Sequence, residues 1–368
     1  LAKKGIMICG HGSRDKDAER EFGRVAAGLR ERFPDIPVEY GFLEFSAPNI
    51  HMGLNDLLAQ GVDDIYAVPG MLFAATHAKN DIPSVLTTFS EKQDGVNVTY
   101  GAELGLHQSM IEAFQARIYE SLDLDPENPP ENLYDTMLVV VGRGTSDTEA
   151  NAEAAKLTRI VNENMGFGWA DTVYSGVTYP SVGSGLERLT KLGFKRIVVA
   201  PYFLFTGRLI KRINGYVDKV AAENPDISFI NTPYLNDHPK VIDAFEVRVR
   251  EIMDGASAPQ TLMESFKRRL AAGEVEVHHH HAEYTEAGHD HSHSHSHSHS
   301  HHDHSHGDHD HHHHHHGVYE RIDHPLGPRT MIGEGICCCF MSQFPQSVLD
   351  EEADRIAAAE DKTPDAHR

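Results

Sequence analysis

The stretch "GHGSRDKDAEREF" (10–22) returns 132 residues later as "GRGTSDTEANAEA" (142–154), and Gly10, Gly12, Asp15, Ala18 and Glu21 fall on Gly142, Gly144, Asp147, Ala150 and Glu153. The same offset lays "SAPNIHMGLNDLLAQGVDDIYAVP" (46–69) over "TYPSVGSGLERLTKLGFKRIVVAP" (178–201), so that Pro48, Gly53, Leu57, Gly61 and Pro69 meet Pro180, Gly185, Leu189, Gly193 and Pro201. One deletion further on the offset is 131, and "HQSMIEAF" (107–114) meets "HPKVIDAF" (238–245). A match sustained through most of both stretches is an internal duplication.

Each copy alternates short apolar runs with amphipathic ones. In the first copy strands are expected at about 5–10, 37–44, 64–69 and 96–101, apolar enough for a parallel sheet covered on both faces. Between the first two, Ala18, Phe22, Val25, Ala26 and Leu29 recur at helical spacing over 15–32. Repeated βαβ units imply an α/β fold with an open parallel sheet of flavodoxin or Rossmann type, built twice and facing a cleft. The expected boundaries are a first half at 1–118, a linker at 119–136 ("YESLDLDPENPPENLYDT") and a second half at 137–252. A linker helix (253–277, helical over 261–272), a histidine-rich tract (278–317) and a cysteine-bearing tail (318–368, with a helix near 346–360) complete the chain. The tract, "HHHHAEYTEAGHDHSHSHSHSHSHHDHSHGDHDHHHHHHG", has too few apolar residues to build a core and is expected to be disordered.

Composition removes several functions. A formal charge of −22 over 368 residues opposes nucleic-acid binding, which needs a basic face. No stretch reaches the roughly 18 apolar residues of a membrane span, and the opening "LAKKGIMICG" has no signal-peptide h-region. Cys9 stands alone and Cys337, Cys338 and Cys339 are adjacent, a usage that fits a reducing cytoplasm. No GxxxxGK[ST] loop is present, so ATP-driven chemistry is not expected, and no G-x-G-x-x-G follows the first strand, against a dinucleotide-binding module.

A duplicated chain supplies its own control. Residues kept in both copies, such as Gly12 with Gly144 and His107 with His238, are expected to serve the fold, the two histidines as loop or capping residues before helices. Residues found in one copy are candidates for chemistry. His11, at the end of the first strand, faces Arg143; Glu44, at the second, faces Gly176; His77, after the third, faces Arg208 when 76–82 is laid on 207–213. All three lie on the rim where open α/β sheets bind ligands. Two imidazoles and a carboxylate suit a divalent first-row ion and leave coordination positions open. Arginine cannot ligate a metal, but its fork suits carboxylates. His51 faces Gly183 at a helix start and is read as lying outside this set.

"GHGSRD" after the first strand, "GFLEFSAP" at the second and "PGMLFAATHAKNDIP" after the third resemble the class II tetrapyrrole chelatases, and among them the long-form sirohydrochlorin cobaltochelatases, CbiX-like enzymes of cobalamin biosynthesis. The resemblance implies two fused chelatase-like halves, with His11, Glu44 and His77 binding the incoming Co2+ and accepting pyrrole protons, and Ser13, Arg14, Arg143 and Arg208 holding the carboxylates of a tetrapyrrole. It also implies accessory metal sites in the tract, at His291, His293, His295, His297 and His299, and a soft metal or an iron–sulfur cluster at Cys337, Cys338 and Cys339. The tail departs from the family's M-x-C-x-x-C pattern, since "MIGEGICCCF" (331–340) has no C-x-x-C. The expected partners are the tetrapyrrole, a divalent metal and a second copy of the chain in a homodimer. Insertion of iron or nickel into the same ring, and metal storage on an inert α/β scaffold, are the competing readings.

Overall fold

Ile6, Met7, Ile8 and Cys9 have no contact with water at all, and Met137 to Val141 repeat this in the second copy. Runs buried on both faces must lie at the centre of a sheet, and the computed structural model places them there. It describes residues 2–255, 262–273, 275, 350 and 354. The first half runs β1 (Lys4–Gly10), α1 (Lys16–Arg32), β2 (Val38–Phe42), α2 (Ile50–Ala59), β3 (Asp64–Pro69), a π turn (His77–Asp81) leading directly into α3 (Ile82–Lys92), β4 (Asn97–Tyr100) and α4 (Gln108–Ser121). The second runs β5 (Leu133–Gly142), α5 (Thr148–Met165), β6 (Phe167–Tyr174), α6 (Val182–Leu189), β7 (Arg196–Pro201), α7 (Arg208–Glu223), β8 (Ser228–Asn231) and α8 (Pro239–Met253), and α9 (Leu262–Ala271) follows.

Both sheets are fully parallel, in the orders β2-β1-β3-β4 and β6-β5-β7-β8. The chain leaves β1 toward β2 on one side and later returns to place β3 on the other. The crevice between those two connections is the switch point at which such sheets bind ligands.

Kept residues do structural work. Asp15 and Asp147 are N-caps, accepting backbone N–H bonds from Asp17 and from Glu149 and Ala150. His107 and His238 cap α4 and α8, each Nδ1 accepting a backbone N–H at 3.2 Å from Ser109 and Lys240. Gly12 and Gly144 have φ of 99° and 80°, and a Cβ on either would collide with the carbonyl oxygen of Glu44 or Gly176. The cis peptides Ala47–Pro48 and Tyr179–Pro180 occupy one repeat position.

The halves share a core. Phe22, Val25 and Leu29 of α1 and Phe114 and Ile118 of α4 pack in one cluster with Leu157 of α5 and Phe245 and Val249 of α8, while each half keeps a separate cluster on its outer face. This shared layer turns the carboxyl-end rims of the two sheets toward each other. Two ion pairs cross between the rims, Lys79 Nζ to Asp147 at 2.6 Å and Lys211 Nζ to Asp15 at 3.1 Å. They exchange under the repeat offset, since 15 and 79 plus 132 give 147 and 211. Glu21, buried on α1, accepts from Thr206 N at 2.8 Å and Tyr234 Oη at 2.6 Å of the second half.

Three sequence expectations shift. β2 stops at Phe42, so Glu44 lies past the strand rather than at its end. Pairing with the first loop continues regardless, through Leu43 N to Gly10 O (2.8 Å) and Glu44 N to His11 O (3.0 Å). β5 begins at Leu133, inside the stretch read as linker. The pairing of His77 with Arg208 is off by one. Lys79 N bonds Ala75 O as Lys211 N bonds Gly207 O, so the offset of 132 holds through Lys79 and sets Leu209 opposite His77 and Thr76 opposite Arg208. The extra residue of the first half is absorbed in the π turn, where Ile82 N–H reaches back five residues to His77 O.

Candidate functional site

His11, Glu44 and His77 come together on the first-half rim, with one ligand-type atom from each within 4.8 Å of the others. His11 Nε2 stands 3.1 Å from His77 Nε2 and 3.2 Å from Glu44 Oε1. His11 Nδ1 lies 3.1 Å from Gly12 O and His77 Nδ1 lies 2.6 Å from Asp81 Oδ2. A peptide carbonyl and a carboxylate only accept, so the Asp81 contact places the His77 hydrogen on Nδ1 and its lone pair on Nε2; His11 has an acceptor beside each nitrogen, Gly12 O and Glu44 Oε1, and its Nδ1–H tautomer is the one that presents Nε2 to a metal. In that tautomer two nitrogen lone pairs and a carboxylate oxygen converge. Donors about 2.1 Å from one ion stand roughly 3.0–3.4 Å apart in octahedral or tetrahedral coordination, and the two separations from His11 Nε2, to His77 and to Glu44, fall in that range.

Burial, neighbouring His77 and the Arg143 guanidinium hold His11 well below the ordinary imidazole value of 6.5. Each of the three disfavours imidazolium, so His11 stays neutral and able to ligate at neutral pH. Glu44 is 3% exposed, and its placement depends on the first loop. Ser46 Oγ donates to Ser13 O at 2.7 Å and accepts from Ser13 N at 2.9 Å, stapling 44–46 to 11–13.

The remaining candidates surround this cluster. Ser13 Oγ accepts the Asp15 N–H at 3.1 Å. Arg14 lies with its guanidinium 4.9 Å from the centre of the Phe45 ring. Arg143 is exposed on the second-half rim, near enough for its charge to act on His11. Arg208, also exposed, opens α7 beside Gly207, which approaches Ser13. His51 lies on α2 with its ring 6.2 Å from that of Phe89, outside the cluster. His291, His293, His295, His297, His299, Cys337, Cys338 and Cys339 lie outside the described residues.

Sequence reasoning missed Asp81 and Phe45. Asp81 is the second-layer carboxylate that orients His77, the usual support of a metal-bound imidazole. The change of offset shows that one residue is inserted, and π turns hold such residues and often mark functional sites, but neither that nor the i,i+4 spacing singles out Asp81 in the sequence. Phe45 carries φ of 65° in a tight turn closed by Ser46 N to Glu44 O at 2.8 Å, and its ring is 39% exposed and 6.2 Å from that of His11. Val177 takes the same conformation in the second half, so nothing in residue type announced it.

Duplicated parallel sheets with, among the described residues, one two-histidine, one-carboxylate cluster on the facing rim define a chelatase-type α/β protein. A family model described as CbiX matches residues 5–121 and again 137–252, and the chain belongs to the CbiX family. It is similar to the sirohydrochlorin cobaltochelatase of Priestia megaterium, with 37% identity over 253 residues that cover 68% of this chain and 81% of that protein. It is also similar to the sirohydrochlorin ferrochelatase of Bacillus subtilis, 30% identical over 250 residues, covering 68% and 92%. Among solved structures it resembles SirB from Bacillus subtilis with Fe3+ (TM-score 0.59, 29% identity, covering 68% and 95%). The Bacillus subtilis subspecies spizizenii SirB in complex with cobalt gives a TM-score of 0.57 at 26% identity, covering 68% and 94%. These relatives support a divalent metal as substrate and lend no support to an iron–sulfur cluster. Among the described residues no helix is long and apolar enough to cross a membrane.

Proposed function

We propose that the protein inserts Co2+ into sirohydrochlorin, without ATP, as a step of cobalamin biosynthesis. The observation that carries the reading is the convergence of His11 Nε2, His77 Nε2 and Glu44 in one half only, opposite Arg143, Gly176 and Leu209. The metal is a substrate, held by three ligands and open on its remaining positions. The macrocycle enters between the rims, with Phe45 offering a flat apolar face. Arg14, Arg143 and Arg208, with Ser13, take its carboxylates, and each charge-assisted bond contributes about 1.5–3 kcal/mol. Insertion forms the metal–nitrogen bonds and releases two pyrrole protons, which His11, His77 and Glu44 accept as the metal leaves them. A low pKa on His11 lets it pass its proton quickly to water.

Both faces of the cleft belong to one chain, so the proposed reaction needs no second copy. The buried free thiol of Cys9, pushed far up by burial, suits the cytoplasm. The tract histidines, His291 to His299 among them, are proposed to hold exchangeable Co2+ for delivery.

The ferrochelatases among the relatives favour one second reading, the same reaction with Fe2+. An anaerobic absorbance assay with sirohydrochlorin and Co2+, Fe2+ or Ni2+ decides between them. Fastest turnover with Co2+, lost in His11→Ala and in His77→Ala, is expected. Fastest turnover with Fe2+ replaces the metal, and tight metal binding with no tetrapyrrole turnover replaces the function by storage.

A further inference from the structure

The turn that carries His77 is held by a residue from outside both CbiX halves. α9 follows the second half but packs on the first. Phe266 is fully buried, and Leu262 and Met263 join the outer cluster of the first half, which contains Leu86 and Phe89. From the far end of α9, Arg269 reaches the π turn. Its Nη1 donates to Asn80 Oδ1 and its Nη2 to Lys79 O, both at 2.9 Å.

Pro83 explains why this turn takes donors from elsewhere. In an α turn the N–H of residue 83 would serve the carbonyl of residue 79, and in a π turn that of residue 78. Proline has no N–H to give either. Tyr100 Oη donates to Ala78 O at 3.0 Å, and Arg269 serves Lys79 O. The side chain of Lys79 is tied in turn to Asp147 across the cleft. His77 and its partner Asp81 sit at the two ends of the five residues fastened in this way. The second half has neither the inserted residue nor, among the described residues, a helix in the place of α9, since α4 gives way to β5 through 122–132.

We propose that Arg269 is a positioning residue for His77: its planar fork fixes the π turn so that the imidazole faces His11 and Glu44. The segment beyond the family match is then part of the metal-handling apparatus. The inference rests on the reading of the three-residue cluster as the metal site.

The test uses the full chain in steady-state insertion, with Co2+ and sirohydrochlorin varied separately. Arg269→Ala is expected to raise the KM for Co2+ by about tenfold or more, the usual cost of losing a support of a metal ligand, and to leave the KM for sirohydrochlorin near wild type. Arg269→Gln, which keeps one planar donor for Lys79 O, should fall between, and the exposed neighbour variant Arg268→Ala should match wild type. Should Arg269→Ala lose its thermal unfolding transition, Arg269→Gln carries the same comparison. Wild-type KM for Co2+ in Arg269→Ala or Arg269→Gln, an equal loss in Arg268→Ala, or a parallel rise in the sirohydrochlorin KM would overturn the proposal. His77→Ala run alongside separates the two claims. If it is fully active, the metal-site reading fails; if it is inactive while the Arg269 variants are normal, only the role of Arg269 fails.

Discussion

Arg143 stands in the second half where His11 stands in the first, and the two face each other. A guanidinium in that position makes a proton on His11 costly, and it is proposed to draw substrate carboxylates. With burial and His77 it holds the imidazole well below 6.5. Removing the charge in Arg143→Ala therefore raises the His11 pKa. An NMR titration of the imidazole in metal-free protein should show the upward move, and the acid limb of Co2+ insertion should move to higher pH with it, because only the neutral ring binds metal. An unchanged or lower His11 pKa would show that Arg143 does not face this ring. At this scale the sequence was informative where the copies differ in residue type. His11 and Glu44 could be singled out because Arg143 and Gly176 replace them. Asp81 could not, because an acid four residues after a histidine is common on helices and gains meaning only from the 2.6 Å contact to Nδ1.

Among the elements, the helices that begin with histidine and the turn that carries His77 show opposite limits. His107 and His238 were legible as caps, since both copies keep them before a helix. Each accepts a backbone N–H on Nδ1, and each is shifted below the ordinary imidazole value, by burial first and then by Arg248 or Arg117. A histidine lowered in the folded state binds more protons when unfolded. Its stabilisation is thus complete above the unfolded pKa of about 6.5 and is lost as pH falls through the folded value. Replacing both by alanine should cost ~1 kcal/mol each at about pH 7.5, less at about pH 5, whereas asparagine caps should keep the stability and flatten that dependence. Urea midpoints at the two pH values check this, and equal losses for alanine at both would refute it. The π turn was not legible. An alignment shows that one residue is gained between Pro69 and His107, but not where the backbone stores it. Only the hydrogen bonds place it after Lys79 and set Leu209, rather than Arg208, opposite His77.

On the scale of the whole molecule, duplication fixes the architecture and asymmetry fixes the use. The shared core of α1, α4, α5 and α8 sets the two rims face to face. The Lys211–Asp15 pair, its lysine half open to solvent, contributes little; the more covered Lys79–Asp147 pair fastens the turn that carries His77, and the shared core holds the halves together. The two sheets and their facing rims followed from the repeat and the strand pattern. The crossings did not, because they depend on the relative placement of domains, which residue periodicity does not encode. In the proposed reading one copy carries ligands for a cation and the other carries arginines that draw anions. Anomalous scattering at the cobalt edge from crystals of the full chain grown with Co2+ tests this most directly. A peak is expected about 2.1 Å from both His11 Nε2 and His77 Nε2 and against the Glu44 carboxylate, with none beside Arg143, Gly176 and Leu209. Cobalt bound within the two halves but absent between those imidazoles, or bound equally at both rims, would contradict it.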